Sequence, residues 1–303
     1  MQFLTKTGNL VYTHSAANPP KLTVSPGESF QVETELNSGD WLHSLDDNPN
    51  MRSRGFPYVN PATGPVFIDG AQPGDMIVVS IEAIDLAELG YTQIALGINP
   101  FKNWIRRDEW GDQFRIVRIA DGVVHWSETL KIPIQPMIGV IGTAPEIEGI
   151  SNADNGPHGG NLDAQEVTIG SRVMLPVFVP GALLHVGDVH AVQGDGELCT
   201  AGGIETRSTL TLRVDIAPKP KSMIWPRIET DTHIVAMGCA RPLDDAFRIA
   251  VEQMIYWLGE EYGVSQPEAL MLLGQIAEAR ATQFVNPKFT YVCKVAKTYL
   301  AGL

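Results

Sequence analysis

The 303-residue sequence predicts an α+β fold that is predominantly β, a sandwich- or barrel-like body with a smaller C-terminal α/β part. Three observations predict it. Gly and Pro, 29 and 21 of them, are scattered as punctuation, which suits many short strands joined by turns. Thr209 to Ile216 alternates strictly, with Leu210, Leu212, Val214 and Ile216 on one face. After about residue 217 the apolar period changes from two to that of a helix.

The elements follow in order. Asp75 to Ile84 is a β-branched run entered through Pro73-Gly74. Gln113 to Trp126 holds Asp121-Gly122 between apolar segments, a type I′ hairpin signal, because both turn residues need positive φ. Phe247, Ala250, Val251, Met254, Ile255 and Leu258 form one helical stripe, and Gly259 is the expected stop. Ser265-Gln-Pro-Glu268 is a capping box opening a second helix through about Ala281. Pro218 and Pro220 stiffen a linker, so the chain divides into a β-rich body, 1–216, and an α+β region, 217–303. Pro65-Val-Phe-Ile-Asp-Gly-Ala71 with Gly74-Asp75 recurs as Pro176-Val-Phe-Val-Pro-Gly-Ala182 with Gly187-Asp188, which reads as a duplicated β unit.

Charge narrows the partners. With 22 basic against 35 acidic side chains the net charge is −13, which disfavours nucleic acid and anionic membrane surfaces. No apolar run is long enough to span a bilayer, and the N-terminus lacks signal-peptide character. Cys199, Cys239 and Cys293 form neither a disulfide framework nor a CxxC site, so a cytoplasmic protein with reduced thiols is expected.

The residues capable of chemistry concentrate between Asn152 and Glu197. If Asp188 to Val192 is a strand, Asp188 and His190 share a face. Gly194-Asp195-Gly196 then bends the chain, and Asp195 and Glu197 are expected on one side again. Crowded carboxylates repel and raise one another's pKa unless a cation neutralises them. One imidazole with carboxylates suits Zn²⁺; a carboxylate-only pocket nearby suits Ca²⁺. The alternative is that the Gly-Asp pairs are simply turns and His190 a satisfied histidine. His158 lies in a glycine-rich loop as site or loop residue, and His185 in an apolar run reads as a packed side chain. Cys199 could act as a nucleophile, though a neighbouring carboxylate raises a thiol pKa and a buried role suits it better.

These stretches resemble the acetamidase/formamidase family. The similarity is carried by Asn60-Pro-Ala-Thr-Gly-Pro-Val-Phe-Ile-Asp-Gly-Ala-Gln-Pro-Gly-Asp75, Gly139-Val-Ile-Gly-Thr-Ala-Pro145, Pro157-His-Gly-Gly-Asn-Leu-Asp163 and Leu175 through Glu197. The resemblance implies hydrolysis of formamide or acetamide to a carboxylate and ammonia, a bound divalent metal, and a homo-oligomer, a dimer or higher. Asp163, Asp188, His190, Asp195 and Glu197 match the family's polar positions. On chemical grounds Asp163, Asp188 and His190 are the expected metal ligands and Glu197 the general base and acid. Asp195 and His158 join it at the catalytic centre. Asn161 and Gln193 would hydrogen-bond the amide, and the N–H groups of Gly159 and Gly160 would stabilise the oxyanion. Two rival readings are a thiol amidase using Cys199 and a non-catalytic β-rich protein that binds metal or ligand.

Overall fold

The computed structural model describes residues 1–51, 55, 57–95, 100–101 and 111–303. Nineteen of the described strands belong to one hydrogen-bonded sheet, and Thr13–His14 with Ile150–Ser151 make a separate pair. The sheet curls because its long strands change partners along their length. Ala201–Pro218 pairs with Asp75–Ile94 through most of its run, and also with Ser29–Glu33 and Leu184–Gln193. The alternation read at 209–216 holds, with Leu210, Leu212 and Val214 fully buried in the principal core. Asp121 and Gly122 carry φ of 53° and 74° between paired strands, as a type I′ turn requires.

The repeated stretches do not form two separate units. Ala62–Ile68, before the first glycine turn, pairs antiparallel with Leu184–Gln193, after the second. Arg172–Pro176, before the second turn, pairs antiparallel with the start of Asp75–Ile94, after the first. Reciprocal bonds run between the turns themselves: Gly181 N–H donates to the Ala71 carbonyl at 2.8 Å, and Gly74 N–H to the Val177 carbonyl at 3.1 Å. Each copy therefore completes the other's sheet.

The helices appear where the period changes, with two corrections. The first runs Leu243–Tyr262, past Gly259, and is closed by Gly263 at φ 71°. Its buried face is Ala246, Ala250, Gln253, Met254, Trp257 and Leu258, so the stripe is rotated and Phe247 stays exposed. The second, Gln266–Ile276, is capped by Ser265 as expected, the Glu268 N–H donating to Ser265 Oγ at 3.4 Å. It ends five residues early. Glu278–Gln283 is instead a strand paired antiparallel with Phe289–Ala296, a case of sheet pairing overriding the helix propensity of Ala, Glu and Arg. Both helices pack on a second core that includes Val78 and Met174. Arg172–Pro176 also pairs with Arg227–Glu229, which carries the ladder across residue 217. No described helix is long and apolar enough to cross a membrane.

Gly181 shows how tightly the two repeats interlock. It sits at φ 75°, and a Cβ there would lie 2.2 Å from the Phe67 ring of the other copy. Gly181→Ala should lower stability by roughly 1–3 kcal/mol through overpacking and the positive φ, read as a lower denaturation midpoint with unchanged slope. An unshifted midpoint would show that Phe67 moves aside freely.

Candidate active site

Five ionisable side chains from four segments meet in the interior. Asp188 and His190 lie on Leu184–Gln193, Glu205 on Ala201–Pro218, Asp163 just beyond Gly159–Asn161, and Glu197 after the Gly194–Gly196 turn. The expectation that Asp188 and His190 share a face holds: His190 Nε2 is 3.5 Å from Asp188 Oδ1 and 3.2 Å from Glu205 Oε2. Candidate ligand atoms of Asp163, His190 and Glu197 lie within 4.8 Å of one another, as do those of Asp188, His190 and Glu205. All five side chains are buried. Among the described residues no Lys or Arg stands at ion-pair distance from these four carboxylates.

Three of the five are held by one atom and left open at the other. Asp163 Oδ2 accepts from Asn286 Nδ2 at 2.6 Å, and Asp188 Oδ2 from Asn60 Nδ2 at 3.1 Å. Gln193 donates its amide hydrogens to the carbonyls of Asp163 and Thr282, which turns its oxygen toward His190 Nδ1 at 2.8 Å. His190 Nδ1 therefore carries the proton, and in the neutral ring Nε2 presents its lone pair to the carboxylates. Asp163 Oδ1, Asp188 Oδ1 and His190 Nε2 are buried without a hydrogen bond of good geometry, and so are Glu197 Oε2 and Glu205 Oε2. Orphaned ligand atoms in two three-residue sets that share His190, several backed by an amide on the far side, form the arrangement a divalent cation requires.

The backbone concedes space and conformation to this cluster. A Cβ on Gly139 would lie 2.5 Å from Asp163 Oδ1, and one on Gly203 2.5 Å from His190 Nδ1. Asp163, Asp188 and Glu197 sit in the left-handed region at φ 44°, 54° and 43°, as does Asn60 at 49°. For Glu197 in particular this is a strained conformation, of the kind held where surrounding structure over-determines it. The strand register also shifts between His190 and Gln193, a bulge beside the site.

Burial shifts Asp163, Glu197 and Glu205 toward their protonated forms. Burial, with Asp188 alongside, pushes Asp163 up to about 6, and His190 only partly offsets this. Burial pushes Glu205 up to about 8 and, with repulsion from Asp163, lifts Glu197 well above the usual carboxyl range. Burial works against a charged His190, but Glu205 and Asp188 outweigh it and raise the imidazole well above its ordinary value. A cavity of about 500 Å³ opens onto the cluster, with Asp188, Glu197, Glu205 and Asn161 in its wall.

The structure brings together Asp163, Asp188, His190 and Glu197 from the sequence-derived set, keeps Gln193 and Asn161 beside them, and sets Asp195, His158, Gly159 and Gly160 elsewhere. Asp195 does not share a side with Glu197. It is exposed and bonded to Arg280 at 2.7 Å, because the Gly194–Gly196 turn sends it outward while Glu197 turns in. Gln193 has no free amide for a substrate, since both ends of its side chain are engaged, and it orients His190. Gly159 and Gly160 serve backbone packing: a Cβ at either would come within 2.4 Å of a carbonyl oxygen, and neither lines the cavity. Asn161 does line it, with Nδ2 on Asn286 Oδ1 and its own Oδ1 unpartnered. Cys199 is partly buried, and burial raises its thiol further, which keeps the nucleophilic form scarce. Glu205, Asn60 and Asn286 were missed. Glu205 is an acid on a strand after Gly202-Gly203 that reads as buried, which was a usable signal; Asn286 carried none.

The acetamidase/formamidase family model matches residues 13–156 and 148–293. The crystal structure of an acetamidase from Bacillus halodurans superposes with a TM-score of 0.92 at 34% identity, covering 99% of each chain. That of a predicted acetamidase/formamidase from Thermoanaerobacter tengcongensis gives 0.91 at 32%, covering 100% of this chain and 98% of the other. A putative formamidase of Schizosaccharomyces pombe is 27% identical over 251 residues, 64% of this chain and 60% of its own. The chain thus spans about three fifths of the length of the curated relatives it matches.

His158 belongs to a different group. Its ring stands 5.0 Å from that of His14, which is 4.8 Å from that of His185, and all three are buried away from the carboxylates. Burial, then Lys288, lowers His158 from 6.5 to about 4, against an opposing pull from Asp154; burial lowers His185 to about 3. A histidine buried neutral takes up its proton on unfolding, so its contribution to stability is constant above pH 6.5 and is lost as pH falls toward the folded value. Because the raised carboxyls act in the opposite sense, the difference from a variant is the useful quantity. Between about pH 6 and pH 4 the stability of the parent should fall more steeply than that of His158→Gln by about 1.4 kcal/mol per pH unit. Denaturant unfolding across that range measures it, and parallel curves would mean that His158 is charged or exposed.

Proposed function

Because this chain belongs to the acetamidase/formamidase family, we propose that it is an amidohydrolase cleaving the C–N bond of a short linear carboxamide, of the formamide and acetamide type, to a carboxylate and ammonia. The observation that carries this reading is the gathering of orphaned ligand atoms around His190, with Asp188, Glu197 and Glu205 of that cluster in the wall of a cavity. Such a site fits a divalent cation, with Asp188, His190 and Glu205 as the residues that would hold it, while Asp163 and Glu197 close a second three-residue set on the same imidazole. The single imidazole among carboxylates suits zinc, and carboxylate oxygens alone would suit calcium. A cation bound there supplies Lewis-acid polarisation of the amide carbonyl and a lowered pKa for water.

The chain's own groups do the rest. Asn161 Oδ1, unpartnered in the cavity wall, accepts a hydrogen from the amide nitrogen and sets which face of the carbonyl meets the cluster. Glu197 lines the same cavity, and its raised pKa suits a carboxyl that takes a proton from the attacking water at Oε2 and returns it to the departing nitrogen. That return matters because ammonia leaves readily only when its nitrogen is protonated. Asn286, Asn60 and Gln193 hold the ligand atoms in place from behind. The family resemblance also supports a homo-oligomer. A thiol mechanism at Cys199 draws no support from the site, since that residue lies outside the carboxylate cluster and its thiol is raised.

Ammonia release from formamide and acetamide tests the reaction. Exhaustive chelation should abolish turnover and added Zn²⁺ should restore it; activity indifferent to chelator would remove the cation from the mechanism. Glu197→Gln should keep its metal content while kcat falls by roughly 10²–10⁴. Near-normal turnover in that variant would reassign the proton carrier.

A further inference from the structure

The cavity is far larger than the amide group needs. At about 500 Å³ it falls in the range that holds substantial ligands, whereas formamide has only three heavy atoms. Away from the carboxylates its wall is largely apolar, with Val59, Tyr91, Val285 and Pro287 contributing, and Arg241 completes it. Arg241 is exposed and, unlike Arg115 and Arg118, which also face no carboxylate among the described residues, it stands in the cavity wall. Arg172, Arg207, Arg213, Arg227, Arg248 and Arg280 each face a carboxylate within 4.0 Å. Arg241 faces none among the described residues. Its guanidinium is stacked 4.0 Å over the Phe289 ring and is aimed by two bonds, Nε to the Pro287 carbonyl at 2.6 Å and Nη2 to the Asn286 carbonyl at 3.0 Å. Nη1 and the second Nη2 hydrogen are left over, side by side, the pair with which an arginine grips a carboxylate.

From the cavity's volume, its apolar wall and the unengaged edge of this guanidinium, we propose that the substrate is an amide carrying a second, anionic end: the monoamide of a short dicarboxylic acid, its carboxylate on Arg241. The inference rests on the amide-hydrolysis reading above. The acid cluster repels a free carboxylate, so the amide end goes to the cluster and the charged end to Arg241, with the methylenes against Val285 and Pro287. Charge thereby fixes the direction in which a two-headed substrate enters. Arg241 is a binding residue here and takes no part in bond cleavage.

Succinamate and butyramide have the same number of carbons and differ in the remote carboxylate. With the metal-loaded enzyme, kcat/KM for succinamate should exceed that for butyramide by about 10-fold or more, mainly through KM. In Arg241→Gln, which retains a donor for the loop carbonyls, the ratio should fall to about one or below, whatever the absolute activity of the variant. Acetamide is the control. If acetamide and butyramide are hydrolysed and succinamate is not preferred, the proposal fails while the hydrolase reading stands. A preference that survives in Arg241→Gln overturns it too, since another group would then read the carboxylate. If no amide is hydrolysed, both readings fall together.

Discussion

The burial of four carboxyl groups around one imidazole is the constraint to which the rest of the molecule answers. Removing charges from water costs several kcal/mol per ion even after relaxation, and among the described residues one imidazole, His190, with no Lys or Arg, stands against four carboxyls. Two resolutions are open to such a group, proton uptake or a cation, and the raised carboxyl pKa values are the mark of that choice. The surrounding structure is committed to keeping the acids together regardless. Glycines 139 and 203 are indented to admit them, three of the acids hold left-handed backbone, and Asn60, Asn286 and Gln193 fix one atom of a partner each. A hydrophobic core of this size supplies the stability that such a site consumes.

How much of this was legible follows from what each residue's signal depends on. Asp188 and His190 could be read because a strand has period two, and that rule survived even though Asp188 itself departs from strand dihedrals. Asp195 and Glu197 look equivalent by the same rule, yet Glu197's left-handed φ breaks the alternation, and Arg280, arriving from Glu278–Gln283, draws Asp195 outward. That partner lies 85 residues away, beyond the reach of local pattern. Asn60 and Asn286 are similarly remote, at separations of 128 and 123 residues from the acids they hold. The misplaced helix end has the same origin: Glu278 to Arg280 is good helix material locally, and only the partner strand Phe289–Ala296 makes it a strand. His158 was conspicuous for its glycine neighbours, which turn out to serve backbone packing beside a histidine cluster.

Arg280 links these two observations. It bonds Asp195, Glu166 and Gln165 at once, and Lys294 joins Glu166 and Glu278 to the same set. Gln165 and Glu166 follow closely on Asp163, and Asp195 closely precedes Glu197. One partly buried network therefore braces both chain segments that deliver Asp163 and Glu197 to the cluster, which gives the C-terminal strands a part in a site built mainly by the β-rich body.

The exchange of strands between the two repeats governs how the chain reaches this state. During synthesis Ala62–Ile68 and the start of Asp75–Ile94 emerge about a hundred residues ahead of Leu184–Gln193 and Arg172–Pro176, their antiparallel partners. At ribosomal speeds of roughly 5–20 residues per second, those early strands wait for seconds with open edges. Loop closure over such separations makes for a slow, nonlocal transition state and an interval in which unpaired β edges are open to other nascent chains. The second repeat closes those edges as it arrives, so the two halves reach their final pairing together.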